Sequence, residues 1–224
     1  MHLGVIPDGN RRWARERGIP TLMGHKRGME AMKTVSLAAF ERGVSQLTLF
    51  GFSTENWSRT SEEVKYLMAL FYTLLDEGID EFEKRGIRFK FLGSREKLPK
   101  RLIKLIDRVE ARTARLLGGT LALCLNYGGQ QEMADALKSM IAAGVKPEEV
   151  TPELVAEHLY AGSEIGPLDL IIRTSGEHRS SGFMLWRAAY AEYYFSPKNW
   201  PDFTTDDLDL ALADFAGRQR RFGS

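Results

Sequence analysis

Cysteine is almost missing from this chain: Cys124 is the only one in 224 residues. A lone thiol closes no internal disulfide and completes no Cys/His zinc site, which excludes stapled secreted scaffolds and zinc modules. Cys124 lies in the apolar run LALCLNY and reads as a buried, inert thiol in a reducing, cytoplasmic compartment. Long apolar runs are missing too, and none approaches the roughly 18 residues a membrane-spanning helix needs. The opening HLGVI has no basic stretch before it and is too short for a signal peptide. No sign of charge is in surplus: Lys+Arg is 31 and Asp+Glu is 30, a balance that does not suggest a nucleic-acid binder. The sequence contains no GxxxxGK[ST] for a nucleotide P-loop, no GxGxxG after a strand and no GxSxG elbow. It has no internal repeat, low-complexity tract or Pro/Gly-rich linker. With 43% hydrophobic residues, the expectation is one domain over 1–224 with one sizeable core.

What is present is an alternation. Short apolar runs at 3–6, 46–52, 88–92, 121–125, 169–173 and 193–195 read as strands. Helical periodicity falls near 25–42, 61–85, 96–117, 130–143, 152–160, 181–190 and 205–219. Near-continuous apolar strands separated by helices predict an α/β fold with a parallel sheet covered on both faces. The helix at 61–85 opens with Thr60 and Glu63 spaced as a capping box. Its stripe of Val64, Leu67, Met68, Phe71, Leu74, Leu75, Ile79 and Phe82 reads as a core face; Met68, Phe71 and Tyr72 widen it enough to wall an apolar channel.

The polar residues cluster where such a sheet binds ligands. PDGNRRW follows the first strand, STENWSR the second, NYGG the fourth and RTSGEHR the fifth. In open α/β sheets the crevice beyond the carboxyl ends of the strands is the ligand site. In PDGNRRW, Gly9 permits a sharp turn, Asn10 tolerates unusual dihedrals, and the helix that follows offers free N–H groups to a phosphate. Arg11 and Arg12 add forked donors. Asp8 would repel a phosphate unless a divalent cation lay between them, so it reads as a magnesium ligand; the alternative is a plain Asp-Gly turn with solvated arginines. Arg173 and Arg179, with Ser180 and Ser181 after them, suit a second polyanion, against the alternative of surface pairs with Glu177. Arg59 and His25 offer further donors. A crevice with two phosphate-grade sites, one magnesium carboxylate and an apolar channel would take two diphosphates and a long hydrocarbon.

The segments DGNRRWA, GHKRG, FSTENWSR, NYGGQQE and IIRTSGEHRSSGFMLWRAAYAEYYF, in this order over residues 2 to 203, resemble the motif set of the cis-prenyltransferases. The ending RQRRFG is similar to that family's as well. The resemblance implies a homodimer, each subunit a mostly parallel six-stranded sheet ringed by helices, with an apolar tunnel between the helices at 25–42 and 61–85. It implies Mg2+-dependent condensation of isopentenyl diphosphate with an allylic diphosphate (geranyl, farnesyl or geranylgeranyl) to give new cis double bonds. By the same resemblance, Asp8 handles the metal and is essential for catalysis. Gly9, Asn10, Arg11, Arg12 and Trp13 hold the allylic diphosphate, helped by His25 and Arg59. Ser53, Asn56 and Trp57 lie beside the reacting carbons, where Asn56 orients the groups that lose a proton. Arg173, Arg179 and Ser181 hold isopentenyl diphosphate, and Glu192 and His178 add metal contacts across the dimer. The protein would meet a membrane surface only through its lipid product.

Several positions depart from the family pattern. Pro7 replaces a usual Met, Thr21 a usual Arg for the allylic diphosphate, Arg11 a usual Gly and Gly182 a usual Asn; the added guanidinium of Arg11 would be the compensation for Thr21, a point the sequence leaves open. Leu125 would shorten the product and Gly119 would lengthen it. The all-helical prenyl synthases carry DDxxD pairs, and DEGID at 76–80 is instead expected on a solvated helix face. A non-catalytic subunit of a prenyltransferase complex, or a synthase of short or differently joined products, are the alternatives; the presence of Asp8, Arg12, Arg173 and Arg179 counts against the first.

Overall fold

The computed structural model describes residues 1–218. Six strands form a single sheet: β1 (His2–Ile6), β2 (Gln46–Ser53), β3 (Ile87–Leu92), β4 (Gly119–Tyr127), β5 (Leu170–Arg173) and β6 (Glu192–Phe195). Their order is β3-β4-β2-β1-β5-β6, and all five pairings are parallel, so the expected sheet is wholly rather than mostly parallel.

Side-chain alternation explains why the strands are apolar throughout. On β4, Leu121, Leu123 and Leu125 enter one core while Ala122 and Cys124 enter the other; on β5, Leu170 and Ile172 are split from Ile171 in the same way. The larger core is roofed by α2 (Thr21–Glu41), α3 (Ser61–Thr73), α4 (Ile79–Lys84), α5 (Lys100–Thr113) and α8 (Thr205–Gly217). The opposite face is closed by Ile165, Leu168, Phe183 and Met184. The remaining helices are α1 (Asn10–Glu16), α6 (Gly129–Ala142) and α7 (Pro152–His158). Cys124 is fully buried, and burial pushes its thiol pKa well up, as expected of an inert thiol. Among the described residues no helix is long and apolar enough to cross a membrane.

Three expectations need correction. The helix expected at 61–85 is three pieces, because a π turn at Leu74–Gly78 separates α3 from α4. The acidic DEGID face is not merely solvated: Asp76 accepts from Arg108 and Asp80 from Arg112, each at 2.7 Å, which ties this helix to α5. No helix forms at 181–190. Ser181, Gly182 and Met184 all have positive φ, and the segment is a run of turns. What holds it is Arg187, 5% exposed, whose guanidinium donates to the carbonyls of Tyr160, Gly162 and Ile165 and to the buried Glu132 carboxylate. Helix starts also shift where prolines intervene: α2 begins just after Pro20 and α5 just after Pro99. Of the RQRRFG ending, only Arg218 lies within the described residues.

His2 gives the fold a pH dependence. Its Nδ1–H donates to the Gly166 carbonyl at 2.9 Å, and its Nε2 accepts from the Thr48 hydroxyl at 2.7 Å. Burial pushes its pKa from 6.5 down to about 4. The unfolded chain therefore binds a proton that the folded chain refuses, so stability is full above pH 6.5 and falls as pH drops towards 4. Urea titrations should show a loss of about 3 kcal/mol across that window, and His2→Gln should flatten it. A slope that His2→Gln leaves unchanged would assign the effect to other groups.

Candidate active site

Parallel strands bring the loops after β1, β2, β4 and β5 to one rim, and a cleft of about 1520 Å³ opens there. The register pairs Ile6 with Arg173, so the loop that leaves β1 starts beside the last residue of β5. Arg173 is 3% exposed and ties the loop after β1 to its own loop after β5. Its Nη2 donates to Asp8 Oδ2 at 2.8 Å, and its Nη1 donates to Ser181 Oγ at 2.7 Å and to the Arg179 carbonyl at 2.5 Å. Asp8 is fixed on its other side by the Gly9 amide, which donates to Oδ1 at 2.7 Å, and its backbone is held by Thr174 and Trp200.

The chain then turns sharply. Gly9 has φ +100°, and a Cβ there would lie 2.4 Å from Asn199 Oδ1, so this position requires glycine. α1 begins at once and packs on α2 at unusually short range. Cβ atoms at Gly24 and Gly28, one turn apart, would come within 2.2 Å of the Asn10 carbonyl and 2.3 Å of its Oδ1. The two glycines of GHKRG are thus the socket for α1, and His25 between them reaches the cleft.

Beneath α1 lies a polar cluster whose centre was read from sequence only as a helix cap. Thr60 does cap α3, accepting from the Glu63 amide at 3.3 Å. The Glu63 carboxylate, however, turns inward instead of back to the cap. Its Oε1 accepts from His25 Nε2 at 2.9 Å and Arg59 Nη1 at 3.1 Å, and Arg11 Nε stands 3.8 Å away. Burial pushes the Glu63 pKa up, but His25, Arg59 and Arg11 more than reverse this and hold it below the usual carboxylate range. Burial lowers the His25 pKa against the pull of Glu63, so the imidazole is neutral with its proton on Nε2. Nothing in the spacing of Thr60 and Glu63 distinguishes an inward carboxylate from a capping one.

On the far side of the cleft, Arg12 donates to the Ser175 carbonyl and hydroxyl, both at 2.6 Å, and to Glu177 at 2.8 Å. Glu177 also pairs with Arg179. Those two arginines keep the Glu177 pKa below its ordinary value, the Arg12 bond first. After β2, the Ser53 amide donates to Asn56 Oδ1 at 3.1 Å, so what Asn56 can offer the cleft is an N–H donor.

Asp8, Gly9, Asn10, Arg11, Arg12, His25, Ser53, Asn56, Arg59, Arg173 and Ser181 all line the cleft. Five expected residues do not. The Trp13 indole turns away and donates to Asp202 at 2.7 Å. Trp57 packs edge-on to Phe52 and donates to Asn126 at 2.7 Å, bracing the loop from behind. Arg179 is held outward by Glu177. His178 stacks on Phe195, and Glu192 accepts from Arg218 at 2.9 Å, both along the β6 edge. Within the chain, then, Asp8 stands apart from Glu192 and His178, and among the described residues no group of three or more His, Cys, Asp or Glu is placed to hold a metal. Of the α3 stripe only Leu67 lines the cleft, while Met68, Phe71, Leu75, Ile79 and Phe82 pack in the core.

Three buried polar atoms of cleft residues have no hydrogen-bond partner: Arg173 Nε, Asn10 Oδ1 and His25 Nδ1. A rim with arginines after β1, after β2 and at the end of β5, the carboxylates of Asp8 and Glu55, and apolar Phe50, Leu67 and Leu185 is suited to anionic ligands with a hydrocarbon part.

Residues 6–223 match the sequence profile of the family described as putative undecaprenyl diphosphate synthase. The chain is 44% identical to an isoprenyl transferase of Streptococcus agalactiae, covering 100% of this chain and 92% of that one. It is 42% identical to an isoprenyl transferase of Thermotoga maritima, covering 100% and 96%. Its fold is similar to that of lavandulyl diphosphate synthase from Lavandula x intermedia, solved in complex with dimethylallyl diphosphate. That match has a TM-score of 0.93 and 31% identity, covering 100% and 98% of the two chains. It is also similar to a probable undecaprenyl diphosphate synthase from Campylobacter jejuni, with a TM-score of 0.82 and 29% identity over 100% and 98%.

Removing the Glu63 carboxylate would strand a buried imidazole N–H and a half-buried guanidinium. Glu63→Leu should lower the unfolding free energy by about 3 kcal/mol, measured in urea at pH 7. A loss below about 0.5 kcal/mol would show that the cluster is dispensable to the fold.

Proposed function

The chain belongs to the family of the putative undecaprenyl diphosphate synthases, and from that premise we propose that it condenses isopentenyl diphosphate with an allylic prenyl diphosphate, forming cis double bonds and releasing diphosphate. The observation that carries this reading is the pair of arginine-rich loops at the ends of the adjacent strands β1 and β5, joined through Asp8 and Arg173. The loop after β1, with His25 and Arg59, takes the allylic diphosphate. Arg173 and Ser181, with Arg179 released from Glu177, take isopentenyl diphosphate.

Magnesium fits at Asp8. The carboxylate is 36% exposed on the cleft, and each of its oxygens accepts one hydrogen bond, which leaves lone pairs for a cation. Magnesium takes one or two protein carboxylates and fills its other positions with water and phosphate oxygens. Asp8 is the carboxylate within the chain, and Glu192 at the β6 edge supplies a further contact to a partner's site. The chemistry a bound magnesium ion supplies is neutralisation of charge on the departing diphosphate.

The chain's own groups do the rest. As the allylic C–O bond ionises, its electron pair goes to the leaving diphosphate, and Arg11, Arg12 and Arg59 stabilise the charge in place. Arg173 and Ser181 hold isopentenyl diphosphate so that its double bond faces the allylic carbon, where the new C–C bond forms. A proton then leaves the condensed chain. Asn56 is not the base, because a neutral amide whose oxygen already accepts from Ser53 has only donors to give; it orients, and a diphosphate oxygen accepts the proton. The growing hydrocarbon leads away past Leu67 between α2 and α3. Two subunits pair along the open β6 edge, where Tyr193 and Phe195 stack half-exposed and the exposed His178 ring lies tilted against Phe195. A non-catalytic role is not favoured, because the acidic and basic groups the reaction needs line the cleft.

Purified protein should incorporate labelled isopentenyl diphosphate into lipid-extractable product with geranyl, farnesyl or geranylgeranyl diphosphate, in detergent with magnesium, and a chelator should stop it. Mass spectrometry of that product reads chain length and linkage together. Asp8→Ala should cost at least about a hundredfold in kcat; because it also strands the buried Arg173 guanidinium, its melting temperature should fall while the chain still folds. No incorporation from any of the three primers would overturn the assignment.

A further inference from the structure

We propose that Arg15 is a further ligand of the allylic diphosphate, held uncommitted until substrate arrives; this rests on the reading of the cleft as a diphosphate site. Arg11, Arg12, Arg15, Arg59 and Arg173 are the arginines that line the cleft. Four of them already face acceptors: Arg12 meets Glu177 and Ser175, Arg59 meets Glu63, Arg173 meets Asp8 and Ser181, and Arg11 stands 3.8 Å from Glu63. Among the described residues, the Arg15 guanidinium makes no hydrogen bond or ion pair.

The wheel of α1 explains why it is aimed this way. Asn10 sits in the socket at Gly24 and Gly28, and Ala14, one turn on, is fully buried. Trp13 and Arg17 share Asp202 on another side, with the Arg17 guanidinium 4.4 Å from the Trp13 ring centre. Positions 11 and 15 are the remaining i, i+4 pair, and both line the cleft. From Arg15 the wall continues through Gly18, Ile19, Pro20 and Thr21, none of which carries charge. Arg15 is thus the cation of that stretch. Because it is exposed, it loses little hydration in the ligand-free protein and breaks no internal bond when it turns to a phosphate oxygen. Arg12 and Arg59 must share or surrender acceptors to do the same. A diphosphate presents more acceptor positions than one fork can fill, and a planar guanidinium binds two at once.

The test compares wild type, Arg15→Gln and Arg15→Lys. Steady-state kinetics give KM for each substrate separately, and calorimetry gives Kd for a non-ionising allylic thiolodiphosphate with magnesium. For Arg15→Gln the allylic KM and the thiolodiphosphate Kd should rise about tenfold, the loss of one charge-assisted contact. Its isopentenyl diphosphate KM should stay unchanged, and its kcat should fall, because the same contact holds charge that develops on the leaving diphosphate. Arg15→Lys, which keeps the charge and loses the fork, should fall between. An unchanged allylic KM and Kd would overturn the assignment, and so would an equal rise for both substrates, which a diffuse field produces. If wild type turns over no substrate, the prenyl-transfer reading fails, and the calorimetric comparison still decides for or against Arg15.

Discussion

One buried guanidinium organises this cleft. Arg173 ends β5 in register with Ile6 of β1, and it is 3% exposed while bonded to Asp8, Ser181 and the Arg179 carbonyl. A cation taken so far out of water needs acceptors, and these come from both the loop after β1 and the loop after β5. The loop after β1 and the loop after β5 therefore cannot settle independently: each supplies part of what the Arg173 fork requires.

The rest of the site is built outward from that bond. α1 can follow Gly9 directly only because Gly24 and Gly28 let its first turn press against α2. That close fit carries Arg11, Arg12 and Arg15 into the cleft and brings His25 down beside Glu63. Glu63 in turn holds Arg59, as Asp8 holds Arg173. On the opposite wall the buried Glu132–Arg187 pair fixes the turns that carry Gly182 and Leu185 into the cleft.

Much of this was legible in the chain. Strands buried on both faces leave unbroken apolar runs, and a parallel sheet sends all their carboxyl ends to one rim, so polar residues just past those runs fall together. Asp8, Arg12 and Arg173 were readable for that reason. Glu63 was not, since a carboxylate three residues after Thr60 looks the same whether it caps α3 or turns to His25. Trp13 and Trp57 sit inside readable motifs but brace them from behind, through Asp202 and Asn126, partners distant in sequence. The stretch 181–190 has helical composition, yet Arg187 draws on carbonyls from 160–165 and the backbone takes left-handed turns instead. Each miss comes from a long-range contact that outweighed a local preference.

The central claim is that two diphosphates lie side by side at this rim, joined through Asp8 and Arg173. The most direct measurement is a crystal structure with isopentenyl diphosphate, an allylic thiolodiphosphate and magnesium bound together. The account places one diphosphate on the α1 loop and the other on Arg173 and Ser181, with a cation about 2.1 Å from an Asp8 oxygen. Diphosphates seated away from these two loops, or a cation coordinated without Asp8, would contradict it.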